Sequence, residues 1–306
     1  MKFHPKKICL LFVSSIFQKD RIDFYINEMP ELKVMADVEP VFFYGQKTAD
    51  LGPKDWLALA QKIRQLVEKY DGFVIVHDLD NLLYTASALS FLLSDLAKPV
   101  VFTGSLKPQA KDSGIKSNII NSCQLVGHGL AEVCLLFGNK ILRANQASRN
   151  FSSSLNLFQA PESGLLGQID FSIRLFNRHR KSVAAQAKKF IAGLDDNILI
   201  ISAGPLMDCA DLKNVLKNKS AAAIKIGPDP MSSVAWDFFA SLSKNLPVII
   251  FDDHKISEPR EGGFIYVDNM TFEAMLVKLM FVLKQTNGLT EVQELMSREI
   301  NGEIIL

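Results

Sequence analysis

Two short polar segments carry the side chains best suited to chemistry in this sequence. Residues 77–81 read His77-Asp78-Leu79-Asp80-Asn81, and residues 103–105 read Thr103-Gly104-Ser105. Carboxylates and hydroxyls placed on turns can bind a polar ligand or take part in proton transfer. Each segment closes an apolar run, Gly72 to His77 and Val100 to Phe102, and short runs rich in Val and Ile are the signature of buried parallel strands. Ligands of open parallel sheets collect at the carboxyl ends of the strands, so both segments are expected to face a site. An Asp or Asn in 78–81 is also the expected cap of a following helix. His77, at the end of a buried strand, reads as a hydrogen-bonded structural histidine and not as a base.

The elements that must position these groups follow from the pattern around them. Residues 71–105 form a strand–turn–helix–strand unit, with a helix over Tyr84 to Leu96 closed by Lys98-Pro99. Upstream, Ile8–Val13 reads as the first strand, Ser14 to Gln18 as its carboxyl-end turn, 19–35 as a short helix or loop, and Val41 to Tyr44 as a second strand. Pro53 opens a helix to about Tyr70 with the apolar stripe Leu57, Leu59, Ile63 and Leu66. Downstream come a loop at 106–117, a helix from Asn118 to about Gly127, a strand at Glu132–Phe137, a turn at 138–140 and extended structure at Ile141–Arg143. Residues 172–196 are basic and lack strand runs, which marks a segment joining two domains. Its charge run reads as a solvated face. A second set of alternating elements follows: strands at Ile198–Ser202, Ala221–Ile226 and Pro247–Phe251, and helices from Asp208, near Ser233 and from Thr271 to Lys284. Strands alternating with helices argue an α/β fold with a parallel sheet.

Composition narrows the function classes. The chain has 306 residues, 48% hydrophobic and 22% charged, enough for two ordered domains. A net charge of +1 gives no global field towards nucleic acid or membrane. No apolar stretch reaches the roughly 18–20 residues that cross a bilayer, and the run at Ile8–Val13 reads as a buried strand and not an export signal. Cys9, Cys123, Cys134 and Cys209 lack metal-ligand spacing and read as buried thiols in a reducing, cytoplasmic setting. His4, His128, His179 and His254 show no ligand spacing, although Asp252-Asp253-His254 at a strand end could touch a cation or ligand. No phosphate-binding fingerprint is present, and no cofactor or metal is expected.

The central unit carries a resemblance. His77, Asp80, the run Tyr84-Thr85-Ala86-Ser87-Ala88-Leu89-Ser90-Phe91 and the run Lys98 to Ser105 resemble the cytoplasmic type of L-asparaginase, whose pattern reads HGTDTMxYTASALSF followed by KPVVFTGSQ. Residues 268–283, DNMTFEAMLVKLMFVL, and Asn301-Gly302-Glu303 resemble the carboxyl-terminal domain of the same family. The resemblance implies an asparaginase-like α/β fold. A larger N-terminal domain spans 1–175, a basic linker 176–195 and a smaller C-terminal domain 196–306. It also implies a homodimer or homotetramer with a pocket near the subunit interface.

Residue by residue, the family's chemistry does not carry over. Aligning the first strand puts Val13 to Phe17 on the family's TGGTI, so the nucleophilic threonine falls on Ile16 and the two glycines on Ser14 and Ser15. Isoleucine has no atom that can attack a carbonyl. The family's second catalytic threonine falls on Leu79, and the relay lysine on Arg149, which stays protonated at neutral pH. In the substrate loop Thr48 keeps a hydroxyl, while Ala49 offers no side-chain hydrogen bond. Asp80 is kept, either as a helix cap or as a catalytic and substrate-gripping acid. Gly227-Pro228 replaces a Gly-Asn pair. A lid tyrosine is missing, and Tyr25 reads as a packing residue.

Two functions remain open. In one, the chain is a non-catalytic homologue that binds a small molecule, an amino acid or amide, or another protein. In the other it is an active or weak L-asparaginase or related amidohydrolase, converting L-asparagine and water to L-aspartate and ammonia, with Ser15 as a relocated nucleophile beside Asp80.

Overall fold

The computed structural model describes residues 5–104, 114–152, 157–180, 192–204, 207–227, 231–252 and 259–305. The chain divides into two compact units, Met1–Lys189 and Phe190–Ile304.

In the first unit the strands are β1 (Lys6–Val13), β2 (Ala36–Tyr44), β3 (Gly72–His77), β4 (Val100–Thr103), β5 (Val133–Phe137), β6 (Lys140–Arg143), β7 (Ser148–Arg149), β8 (Phe158–Gln159), β9 (Leu165–Ile169) and β10 (Ile173–Leu175). Eight of them make one sheet in the order β10-β9-β6-β5-β4-β3-β1-β2. Strands β2, β1, β3, β4 and β5 run parallel, and β6, β9 and β10 add to one side as antiparallel neighbours. Side chains of β1 and β3 are almost all fully buried, which explains why both read as continuous apolar runs instead of alternating ones. From β1 the chain moves to β2 on one side and then crosses to β3 on the other. The sheet therefore has its topological switch between β1 and β3, where open α/β sheets form a ligand crevice.

The unit's helices are α1 (Ile22–Asn27), α2 (Pro30–Met35), α3 (Pro53–Leu66), α4 (Leu82–Leu92) and α5 (Ile115–Leu125). α4 is buried on nearly every face. Trp56 of α3 stacks on Tyr84 of α4, ring planes 1° apart and centroids 6.3 Å apart. Lys98 donates to the carbonyls of Val67, the C-cap of α3, and Tyr70, just beyond the turn that follows, at 2.6 and 2.8 Å. The motif around 84–98 is thus largely scaffold.

One expectation is corrected here. Residues 172–196 do contain a strand, β10, which pairs with β9. Residues 176–180 are tied to the first unit: Phe176 N–H donates to the Leu166 carbonyl at 2.8 Å, Ala131 N–H to the Arg180 carbonyl at 2.9 Å, and Arg180 N–H to the Glu132 carboxylate at 2.8 Å. The buried Arg143 guanidinium pairs with Glu132 at 2.7 Å and also reaches the Arg178 carbonyl. Arg174 and Arg178 pair with Asp170 and Glu162, so these basic side chains have local partners.

The second unit holds a parallel sheet of β11 (Ile198–Ser202), β12 (Ala221–Ile226), β13 (Val248–Asp252) and β14 (Phe264–Val267), in that order. Its helices are α6 (Cys209–Leu216), α7 (Ser233–Leu242), α8 (Phe272–Gln285) and α9 (Leu289–Ser297). Asp208, Ser232 and Thr271 accept hydrogen bonds from the first-turn amides of α6, α7 and α8, which is why those helices start where polar residues precede apolar stripes. Among the described residues all four cysteines are free, and burial pushes the thiols of Cys9 and Cys123 up to about 12. Cys209 is only partly buried. No helix among the described residues is long and apolar enough to cross a membrane.

Candidate functional site

The register of β1 against β3 decides what meets at the switch crevice. Val13 pairs with His77, so the residues that follow each strand, Ser14 and Asp78, emerge side by side. Ser14 Oγ donates to Asp78 Oδ1 in a short contact. Ser15 donates twice to Asp78 Oδ2, from its backbone N–H and from Oγ, each at 3.0 Å. One carboxylate thus takes three hydrogen bonds from two consecutive serines. The turn is held independently of that carboxylate: Ser14 N–H donates to the Tyr44 carbonyl of β2 at 3.0 Å, and Ile16 N–H donates to Ser14 Oγ at 3.2 Å. The second contact is a short-range serine turn of the kind that competes with regular structure. Ser14 is buried, whereas Ser15 is exposed.

Two residues on, the backbone of the next turn is fastened to the loop at 47–51. Thr48 is fully buried, and its hydroxyl donates to the Asp80 carbonyl at 2.9 Å. Asn81 donates from its amide to the carbonyls of Ala49 at 2.8 Å, Thr48 at 3.3 Å and Leu51 at 3.4 Å. It does so from a left-handed backbone with φ of 55°. The expected cap is corrected accordingly. The N-cap of α4 is Asn81, not Asp80, and no side chain caps the helix. The Asp80 carboxylate is exposed and takes no hydrogen bond from a described residue.

His77 is buried, and both ring nitrogens are engaged. Nδ1 lies 2.5 Å from the Asp78 carbonyl, an acceptor only, so Nδ1 carries the hydrogen; Nε2 lies 3.2 Å from Thr85 Oγ1. Burial pushes its pKa down to about 4, against the pull of the Asp78 carbonyl. The ring is therefore neutral at physiological pH and contacts neither serine, as a structural histidine would be. On the far side of β3, Thr103 Oγ1 donates to the Leu136 carbonyl at 2.8 Å. Asn118 ties the ends of two strands, donating to Gly104 at 2.8 Å and accepting from Gly138 N–H at 3.2 Å.

The remaining expected positions scatter. Ile16 is half-buried and packs against the core of the first unit. Leu79 is half-buried. Tyr25 packs edge-on against Phe17 with ring centroids 4.9 Å apart. Arg149 lies in the β7–β8 hairpin with its guanidinium over the Phe151 ring. Among the described residues no imidazole or ammonium group hydrogen-bonds to Ser15, Asp78 or Asp80. The expected Ser15–Asp80 pair is replaced by Ser15–Asp78. Sequence reasoning places Asp78 in the site segment but pairs Ser15 with Asp80. The usable signal is that two adjacent parallel strands both end in polar residues. Ser105, Pro228, Asp253, His254 and His4 lie outside the described residues. Among those described, no three His, Cys, Asp or Glu side chains gather as a metal site.

Comparison with known proteins agrees with the resemblance. A family model described as "Asparaginase, N-terminal" matches residues 14–181. L-asparaginase 1 of Escherichia coli K12 is 26% identical over 301 residues, covering 92% of this chain and 87% of the relative. L-asparaginase of Thermococcus kodakarensis is 28% identical over 268 residues, covering 82% of this chain and 81% of the relative. Among solved structures, the thermostable L-asparaginase of Thermococcus kodakarensis superposes with a TM-score of 0.86 at 23% identity, over 97% of this chain and 99% of that one. With a family model spanning more than half its length, this chain belongs to the asparaginase family.

Proposed function

We propose that this chain is a non-catalytic member of the asparaginase family, retaining the fold and using it to bind a small molecule or a protein partner. The observation that carries the reading is the side chain at the aligned nucleophile position, Ile16, which has no lone pair to offer. Its neighbours do not compensate. Both serine hydroxyls donate to a single carboxylate, and no described imidazole or amine completes a proton relay to them. Amide hydrolysis needs nucleophile, base and oxyanion donors together, and removing one member of such a set loses most of the rate. Leu79 and Arg149 remove two further groups by the same alignment. The proposal extends to an amino acid or amide as the small-molecule ligand, a cytoplasmic setting in keeping with four free thiols, and a homodimer or homotetramer.

Ammonia release from L-asparagine and L-glutamine by the purified protein tests this. No release above a blank is expected from a folded sample. Release that vanishes in Ser15→Ala, Asp78→Ala or Asp80→Ala would overturn the reading and establish a relocated hydrolytic site.

A further inference from the structure

We propose that the turn after β1 is a carboxylate cradle, filled in this chain by its own Asp78. Three donors converge on that carboxylate from one short segment: Ser14 Oγ on one oxygen, and Ser15 N–H with Ser15 Oγ on the other. Charge-assisted contacts of this kind are the stronger class of hydrogen bond. The residues on either side of Ser15 are held without Asp78, through Ser14 N–H on the Tyr44 carbonyl and Ile16 N–H on Ser14 Oγ. Ser14 Oγ accepts from Ile16 N–H and gives its single proton to Asp78 Oδ1. Ser15 is exposed, so the cradle opens to solvent. It also sits at the β1/β3 switch, the place where an open parallel sheet offers a crevice to a ligand.

A planar carboxylate on a small molecule would satisfy the same three donors. Asp78 forestalls it, first by occupying them and second by adding like charge, with the exposed Asp80 two residues on. A ligand carboxylate, an amino acid's included, must therefore displace Asp78 before it can take these three donors. A ligand that binds only the displaced state has its affinity lowered by the scarcity of that state. This inference rests on the non-catalytic reading, since it treats the two serines as binding donors and not as nucleophiles.

The test is an acetate titration, repeated with L-aspartate, followed by ¹H–¹⁵N spectra of full-length wild type and Asp78→Ala at constant ionic strength. Saturable movement of the Ser15 and Ile16 amide signals is expected in Asp78→Ala, with affinity at least about tenfold above wild type. Adding Ser15→Ala should remove it. Should Asp78→Ala fail to fold, Asp78→Asn takes its place: its amide oxygen still accepts but the like charge is gone, and acetate is expected to move the Ser15 amide more than in wild type. A folded variant whose Ser15 amide ignores acetate overturns the cradle, as does equal binding by wild type or the same movement with chloride. Ammonia release by wild type would overturn the non-catalytic reading whatever the variant binds. A silent wild type with a variant that binds nothing overturns the cradle alone.

Discussion

Gly104 runs so close to His77 that a Cβ at position 104 would stand 2.3 Å from the His77 carbonyl oxygen. The contact joins the ends of β3 and β4, with Asn118 bonded to the Gly104 carbonyl from the other side. A backbone oxygen cannot swing away as a side chain can. Gly104→Ala is expected to destabilise the protein by about 1–3 kcal/mol or more, the range for forced overpacking, read as a lower urea midpoint. An unchanged midpoint would mean the strand ends part without cost.

His77 makes stability depend on mild acid. Its pKa in the folded protein, about 4, lies below the ordinary histidine value of 6.5 because burial disfavours the imidazolium. Between those values the unfolded chain binds a proton that the folded chain does not, so stability rises with pH across the window. The contribution is complete above about pH 6.5 and is lost as pH falls towards 4, amounting to roughly 3 kcal/mol. Urea unfolding at pH 4.5 and 7.5 should show this loss in wild type and a smaller one in His77→Gln. Equal losses in both would assign the acid sensitivity to other groups.

Much of the scaffold is legible in the sequence because it is encoded locally. Gly72–His77, Ile198–Ser202 and Ala221–Ile226 are short, mostly apolar runs, and their strands have those bounds. Strands β9 and β10 are not legible. Leu165–Ile169 contains Gly167 and Gln168, and Ile173–Leu175 is three residues long with an arginine in the middle. Their extended state comes from pairing with each other and with β6, and context of this kind dominates strand formation. The site divides in the same way. That Ile16 and Leu79 lack reactive atoms is a matter of composition. That Asp78 meets Ser14 and Ser15 is a matter of register between strands more than 60 residues apart, which single-strand patterns do not contain.

Asn81 holds the turn at 78–81 against the loop carrying Thr48 and Ala49. Its left-handed backbone is a conformation that asparagine tolerates and most side chains resist. Asn81→Gly removes the amide contacts and keeps the backbone easy, whereas Asn81→Ala loses both. The expected order of stability is wild type, then Asn81→Gly, then Asn81→Ala, the last lower than wild type by about 2–3 kcal/mol. Amide hydrogen exchange over residues 47–51 should accelerate in both variants. An alanine variant as stable as the glycine one would rule out backbone strain as part of the cost.

In the second unit, α8 is locked to the residues after α9 by a fully buried ion pair. Lys278 Nζ lies 2.6 Å from Glu303 and donates to the carbonyls of Met296 at 2.9 Å and Arg298 at 2.7 Å. Glu303 accepts in turn from the backbone N–H of Ile300 at 2.9 Å and Asn301 at 2.7 Å. Burial holds the Lys278 ammonium below the usual lysine pKa, and the Glu303 carboxylate acts in the opposite direction. Deleting one partner strands the other charge without water. Lys278→Met is therefore expected to cost about 3–5 kcal/mol, and Glu303→Gln in the same chain should recover at least about 1 kcal/mol by removing the orphaned carboxylate. Urea unfolding of the two single variants and the double variant closes the cycle. Simple additivity would show that the two charges do not stabilise each other, leaving the backbone contacts alone to hold Asn301-Gly302-Glu303 against α8.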